Sequence, residues 1–252
     1  MTVSRPPARV PAALGALLLA CLKSGLAAVL VFAGLALAAI PSPYRAFAPE
    51  PYGLTQISPT LYLDDPAAAD RVRALIAQAE ANTRAFFGDL QTEPVWVICT
   101  AGPCEETLGM RANGMTFGYH LIVVGPNGVS EMILTHERVH SELHRHLDLT
   151  DIWNPRFPAW FDEGLAAYLS GDARLRQPAD PRDADWIRGA RRLSDWNAMR
   201  PQADWRDRYG AAARLVAEIE KIAGTDGLRA LIRRVGEDGA DFQTEWSALT
   251  GR

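Results

Sequence analysis

Two histidines and a glutamate with a characteristic spacing are the residues of this chain best suited to chemistry. His136, Glu137 and His140 form a His-Glu-x-x-His motif. On an α-helix, residues four apart lie one turn above each other, so both imidazoles can bind a single cation. Glu137 then points to one side and can reach a water on a zinc ion, whose pKa the metal lowers to about 7. The motif therefore predicts a zinc-dependent hydrolytic site with Glu137 as the general base.

The residues around the motif predict the helix that this spacing requires. Ser130 is a suitable N-cap, and apolar residues continue with helical spacing through Val139 and Leu143. We expect a helix of about five turns from Ser130 to Leu147.

Two further histidines follow the motif and could be considered as a third ligand. His146 has the offset of a third zinc ligand in sequences that carry a helix-breaking glycine at the position of Leu143. Without that break, His146 lies about 15 Å along the helix axis from His136. We expect His144 and His146 to be solvated or helix-terminal residues, which the carbonyl end of the helix dipole favours.

A second helical segment, at residues 158–168, offers a better third ligand. Glu163 lies there among aromatic and aliphatic residues, where a carboxylate is costly to bury without a cation. Together with the first motif, the sequence Trp160-Phe161-Asp162-Glu163-Gly164-Leu165-Ala166-Ala167-Tyr168 resembles the gluzincin zinc metallopeptidases, most closely the peptidase-MA-like group with its W-x-x-E-G-L-A-x-Y pattern. The resemblance implies Zn²⁺ bound by His136, His140 and Glu163, and a peptide or protein substrate.

Two more residues have candidate roles at such a site, Asp162 from the chemistry of zinc-bound histidines and Tyr209 from the resemblance. Asp162 either accepts a hydrogen bond from a ligand histidine and fixes its tautomer, or is an ordinary acid at a helix start. In the thermolysin branch, the orienting acid lies four residues beyond the glutamate ligand, but Ala167 stands there, so that branch is not matched. Tyr209, at the start of a later helix, would donate a hydrogen bond to the oxyanion. Its alternative role is to pack one helix on another.

A β-branched stretch before the motif predicts a strand near Thr116–Val124. It resembles the family's edge strand beside the cleft, which could align an extended peptide by backbone pairing. His120 lies within this stretch. We expect it to contact substrate or to pack, not to bind metal.

The first forty residues contain no Asp or Glu, and they include an apolar run of 19 residues from Leu22 to Ile40. As a helix this run is about 28 Å long, close to the thickness of a bilayer core. The first forty residues contain three basic residues, Arg5, Arg9 and Lys23. By the positive-inside rule, the N-terminus is then expected in the cytoplasm and the chain after residue 40 outside, in the periplasm of a bacterium. A cleavable signal with Ala36-Leu37-Ala38 as its site, giving a secreted protein, is the rival interpretation. Lipidation at Cys21 is a further one.

The spacing of the two cysteines outside the N-terminal segment is consistent with an exported domain. Cys99 and Cys104 bracket Gly102-Pro103, and a small disulfide loop is expected in an oxidising compartment. Two reduced, buried cysteines are the alternative.

Composition and element order predict one α+β domain with a small mixed or antiparallel sheet and a helical C-terminal part. We expect a membrane anchor or signal at 1–40, a linker at 41–54 and a catalytic domain at 55–252. Beyond residue 40 there are 23 basic and 30 acidic residues, a formal charge of −7, so nucleic acid is not an expected partner. The predicted strands are Thr55–Leu63, Pro94–Ile98 and Thr116–Val124. The other predicted helices are Pro66–Phe87, Pro181–Leu193, Trp205–Ala223, Thr225–Val235 and Phe242–Leu249.

The alternative function is that of a catalytically inactive interaction domain with a peptidase-like fold. Such a domain is either stabilised by zinc or contains no metal. The intact Glu137 argues against it, because a structural site has no use for a base at that position. A catalytic site keeps one coordination position open, whereas a structural site closes with four protein ligands.

Overall fold

A five-stranded mixed sheet occupies the first half of the chain in the computed structural model, which describes residues 40–201 and 203–251. The strand order is β1-β2-β3-β5-β4, with parallel pairing of β3 to both β2 and β5 and antiparallel hairpins at the two edges. The strands are β1 (Thr55–Ser58), β2 (Leu61–Leu63), β3 (Val95–Ile98), β4 (Gly114–Phe117) and β5 (Leu121–Val124).

Two of the predicted strands are hairpins instead. Thr55–Leu63 divides into β1 and β2, and Thr116–Val124 divides at Gly118, whose φ of 57° places it in the left-handed region that glycine adopts without steric cost. The strand at the sheet edge is consequently β4, whereas β5 lies between β3 and β4. The strand predicted at Pro94–Ile98 is confirmed as β3.

Seven α-helices are present in the described ranges, and together with the sheet they confirm an α+β fold. The predicted helix Pro181–Leu193 is wrong, because Pro181–Gly189 is a 3-10 helix and an α-helix begins only at Leu193. The helices are α1 (Ala69–Phe87), α2 (Gly102–Leu108), α3 (Glu131–His144), α4 (Ala159–Ser170), α5 (Leu193–Ala198), α6 (Trp205–Gly236) and α7 (Phe242–Thr250). Helix α6 is interrupted at Gly224 (φ 70°), where the two predicted helices meet.

The central strands β3 and β5 bury both faces, as their apolar sequences require. On β3, Trp96 and Ile98 face a cluster with α1 and α3, while Val97 faces the other side together with Cys99, which directly follows the strand. The segment 41–54, expected as a linker, supplies Ala46 and Leu54 to that second cluster. A third cluster joins α4, α6 and α7.

The predicted disulfide between Cys99 and Cys104 is confirmed, with a Cα–Cα distance of 5.4 Å. It joins the end of β3 to the first turn of α2.

The anchor or signal predicted at residues 1–40 lies, except for Ile40, outside the described residues. Among the helices that are described, none combines the length and apolarity needed to cross a membrane.

Candidate metal centre and active-site cleft

Helix α3 presents the His-Glu-x-x-His motif as predicted, but it is shorter than predicted. Ser130 is the N-cap, and its hydroxyl accepts a hydrogen bond from the Ile133 amide at 3.4 Å. The helix ends at His144 and not at Leu147. Asp148 then caps the following 3-10 helix, Leu149–Ile152, by accepting from the Thr150 amide at 2.7 Å. The motif thus occupies the middle of a capped helix.

Helix α4 brings Glu163 to the two motif histidines. The Nε2 atoms of His136 and His140 are 3.1 Å apart, and the Glu163 Oε2 atom lies 3.5 Å and 3.7 Å from them. Ligand atoms at about 2.0–2.1 Å from a tetrahedrally coordinated ion are about 3.4 Å from one another. The three residues predicted as ligands can therefore hold one metal ion, and all three side chains are at most 16% exposed.

The charges at this centre are those of a cation site. Burial raises the pKa of Glu163, but hydrogen bonding to His136 and His140 outweighs it, and the pKa falls to about 2. Burial lowers the pKa of His140, yet the carboxylates of Asp162 and Glu163 outweigh it and hold that pKa well above its usual value. Two ionised, mostly buried carboxylates thus lie against the imidazoles and favour a positive charge at this centre.

Asp162 orients the second motif histidine. Its Oδ1 lies 2.7 Å from His140 Nδ1, and its Oδ2 lies 2.8 Å from His144 Nε2. With Nδ1–H donating to Asp162, the Nε2 lone pair of His140 is directed at the candidate metal position. His140, His144 and Asp162 could themselves group around an ion. Their two contacts, however, are short enough for direct hydrogen bonds, which favours the orienting role.

The other two histidines after Glu137 lie elsewhere. His144 ends α3, as expected, but it is not solvated, since its side chain is 15% exposed and its Nδ1 also faces the Gly118 carbonyl at 3.2 Å. His146 packs its ring against Gly236 of α6, and its Nε2 accepts from Arg145 Nε at 2.9 Å. Of the two expected positions, the helix-terminal one is confirmed for His144. The solvated one is wrong for both histidines, because neighbouring elements cover both rings.

The edge strand β4 contacts the carboxylate of Glu137, and the sequence did not predict this contact. Thr116 Oγ1 lies 2.8 Å from Glu137 Oε2 and donates to it. Gly114 faces the same carboxylate, and a Cβ at Gly114 would lie only 2.5 Å from Oε1. A glycine within a strand often marks such a close approach, so Gly114 was the available signal. Glu137 is thus positioned by two elements, α3 and β4.

Tyr209 reaches the centre from the first turn of α6. Its ring centroid is 5.8 Å from that of His136 and 5.0 Å from that of Trp196. Burial, followed by the charges of Glu163 and Glu137, raises the pKa of Tyr209 well above its usual value, so the hydroxyl stays protonated and can donate. Tyr209 therefore both packs against a helix and faces the site.

Close approach of α4 and α6 depends on a glycine. A Cβ at Gly164 would lie 2.7 Å from the carbonyl oxygen of Ala212, so no larger residue fits without moving one helix. Gly164 directly follows Glu163, which explains how Tyr209 of α6 and Glu163 of α4 reach one centre.

A cleft of about 580 Å³ opens beside His136, Glu137 and Tyr209. It is walled on one side by residues 111–114, which lead into β4. The residues on the other side are Asp172, Arg174, Leu175, Arg200, Ala203, Asp204, Trp205, Arg208 and Tyr209. His120, expected to contact substrate or to pack, is exposed on the β4–β5 turn and is not among the lining residues. The volume is in the range of ligand-binding pockets.

Comparisons of the chain with protein families, with curated proteins and with solved structures gave no match.

Proposed function

We propose that the protein is a zinc metallopeptidase of the gluzincin type. The observation that carries the proposal is the arrangement of His136, His140 and Glu163, whose ligand atoms are spaced 3.1–3.7 Å apart, with Glu137 beside them at the cleft. Two histidines and a glutamate form a ligand set used by catalytic zinc.

The residues around the ligands have complementary roles in peptide hydrolysis. Zinc would supply Lewis acidity, polarising a carbonyl and acidifying a water molecule. Glu137 would take a proton from that water and pass it to the amine that leaves when the C–N bond breaks. Thr116 keeps the Glu137 carboxylate in place by donating to Oε2. Tyr209 would donate a hydrogen bond to the oxygen that becomes negative as the carbonyl is attacked.

The number of ligands supports catalysis over a purely structural metal. Among the residues that the structure describes, three side chains converge as ligands, and a tetrahedral ion would keep a fourth position open. Glu137, only 6% exposed, lines the same cleft as His136 without joining the ligand group. An interaction domain would have no need for this arrangement.

Strand β4 supports a peptide as the substrate. It pairs on one side with β5 and is the last strand of the sheet, and the residues leading into it line the cleft. An extended peptide could pair with such an edge. The disulfide is consistent with a domain outside the cytoplasm, anchored or exported through residues 1–40.

The test is Glu137→Gln in the zinc-loaded protein. We expect peptide-library cleavage, followed by mass spectrometry, to fall by about 10²–10⁴-fold because the general base is lost. Zinc should remain at one per chain, because Glu137 is not a ligand. The matched control is Glu131→Gln, which neutralises an exposed acid in the first turn of the same helix and should leave cleavage unchanged.

Cleavage that survives Glu137→Gln would contradict the mechanism. A wild-type protein that binds zinc and cleaves nothing would favour the interaction domain instead.

A further inference from the structure

The cleft contains a buried arginine that forms no ion pair within the described part of the chain. Arg208, in the first turn of α6, is 5% exposed. Its Nη1 donates to the Trp196 carbonyl at 3.1 Å and its guanidinium lies 5.3 Å from the centre of the Trp196 ring, but its buried Nε has no hydrogen-bond partner. Among the described residues, no carboxylate lies within ion-pair distance of Arg208. Burying a cation in this way is costly unless an anion joins it.

The acids lining the same cleft are committed to other partners. Asp172 binds Arg174 through two contacts of 2.8 Å, a bidentate pair. Asp204 caps α6 by accepting from the Arg206 amide at 2.8 Å, and its other oxygen lies 3.5 Å from Arg176. Neither carboxylate is left to neutralise Arg208.

Two more arginines add positive charge at the mouth of the cleft. Arg111 and Arg200 both line it, both are exposed, and neither forms an ion pair or side-chain hydrogen bond in the part of the chain that the structure describes. Apart from the base Glu137, the unpaired charges of the cleft are therefore all positive. Such a cleft attracts anions.

Arg208 also lies close to the proposed reaction. It precedes Tyr209, which is in ring contact with His136, and all three residues line the cleft. A group bound by Arg208 would thus belong to the substrate residue at the cleaved bond or to one adjacent to it. The planar guanidinium matches a carboxylate, which it can bind through two parallel hydrogen bonds.

Resting on the proposed function, we infer that the substrate presents a carboxylate to Arg208, drawn in by Arg200 and Arg111. That carboxylate is either the C-terminal group of a peptide, which makes the enzyme a carboxypeptidase, or the side chain of an Asp or Glu beside the cleaved bond. Both sources share one chemistry, and the experiment distinguishes them.

The test measures binding, so that it does not depend on turnover. Zinc-loaded Glu137→Gln protein is titrated with a set of four peptides of one parent sequence. Two end in a free C-terminal acid and two in an amide, and each pair has either Glu or Gln at one internal position. The set is repeated with that position moved along the peptide. We expect a carboxylate at one of these two places, the C-terminus or the internal position, to lower Kd by about 10-fold or more. The difference in Kd should become smaller at high salt. Preference for the free terminus indicates a carboxypeptidase, and preference for Glu indicates acidic internal sites.

Three arginine substitutions, each made in the Glu137→Gln protein, locate the effect. Arg208→Gln should abolish the preference for the carboxylate while leaving the Kd of the neutral peptide nearly unchanged. Because Arg208 is buried and its loss could disturb folding, Arg200→Gln provides an exposed alternative, which should weaken binding of the acidic peptide several-fold. Arg71→Gln, an exposed arginine of α1, is the matched control and should have no effect.

Equal Kd values for acidic and neutral peptides would overturn the inference, as would a preference that persists in both Arg208→Gln and Arg200→Gln. Neither result bears on the proposed function. That proposal is tested separately, by cleavage of peptides by the wild type and loss of cleavage in Glu137→Gln.

Discussion

At the scale of single residues, the candidate metal centre depends on side chains that are not ligands themselves but orient the ligands. Asp162 contacts both His140 and His144, and the charges of these two histidines outweigh burial and keep the pKa of Asp162 far below its usual range. The sequence left two roles open for Asp162, and the contact of 2.7 Å to His140 Nδ1 favours orientation of a ligand over a plain helix-start acid.

Replacing Asp162 by Asn tests this role. The amide is a weaker acceptor for the His140 Nδ1–H, so zinc affinity should fall about 10–100-fold. Competition with a chelator of known affinity measures the change. Asp70→Asn, which alters an exposed acid in the first turn of α1, is the control. Unchanged affinity in Asp162→Asn would return this residue to the role of a helix-start acid.

At the scale of elements, the site is a contact between one edge strand and two helices. The hairpin formed by β4 and β5 brings Gly114 and Thr116 to the face of α3 that carries Glu137. Alternate residues of a strand point to opposite faces, so Met115 lies on the other side. Strand β4 therefore turns one face to Glu137, and as an edge strand it keeps one backbone side that pairs with no other strand in the described part of the chain.

Gly114→Ala tests the close approach of β4 to the base. The new Cβ would lie 2.5 Å from Glu137 Oε1, so the carboxylate must move. We expect kcat to fall at least about tenfold, because a displaced base transfers the proton poorly, while zinc affinity stays within about twofold. Steady-state kinetics and a zinc titration measure the two quantities.

Met115→Ala, on the opposite face of the same strand, is the control and should retain kcat. A kcat that is unchanged in Gly114→Ala would show that the base tolerates the shift and that β4 does not position it.

At the scale of the whole molecule, the candidate metal centre lies between two helices of the core. Helix α3 contributes Leu134 to the cluster with the sheet and α1, and Val139 and Leu143 to the cluster with α4, α6 and α7. The candidate ligands come from α3 and α4. A bound ion would therefore add a link between these two helices and stabilise the folded state, because the unfolded chain has no preformed site.

Removal of zinc should accordingly lower Tm. With free zinc at 1,000 times Kd, binding stabilises the fold by about 4 kcal/mol, which in a domain of this size raises Tm by roughly 8–16 °C. Calorimetry with and without chelator measures the difference. In Glu163→Gln, which lacks one ligand, chelation should change Tm little. Equal Tm values for the wild type in both conditions would contradict a bound ion at this centre.

The part of the site that could be predicted from sequence is the part that local periodicity determines. Residues four apart on one helix must lie on one face, so His136, Glu137 and His140 were predictable before any tertiary structure. Glu163 was predictable from the pattern of its own helix and the family resemblance. Capping and β-strand patterns likewise predicted the start of α3 and the position of β3, and two cysteines five residues apart predicted the disulfide.

Tertiary structure alone decided which side chains from distant segments meet. Thr116 is 21 residues from Glu137 in sequence, and Asp162 is 22 from His140, yet each pair is in hydrogen-bond contact. Burial of Arg208 without a carboxylate likewise arises from the packing of α6 on its neighbours. Local sequence patterns encode the geometry of one helix or strand, whereas such contacts depend on how several elements pack at once, and no local periodicity specifies that packing.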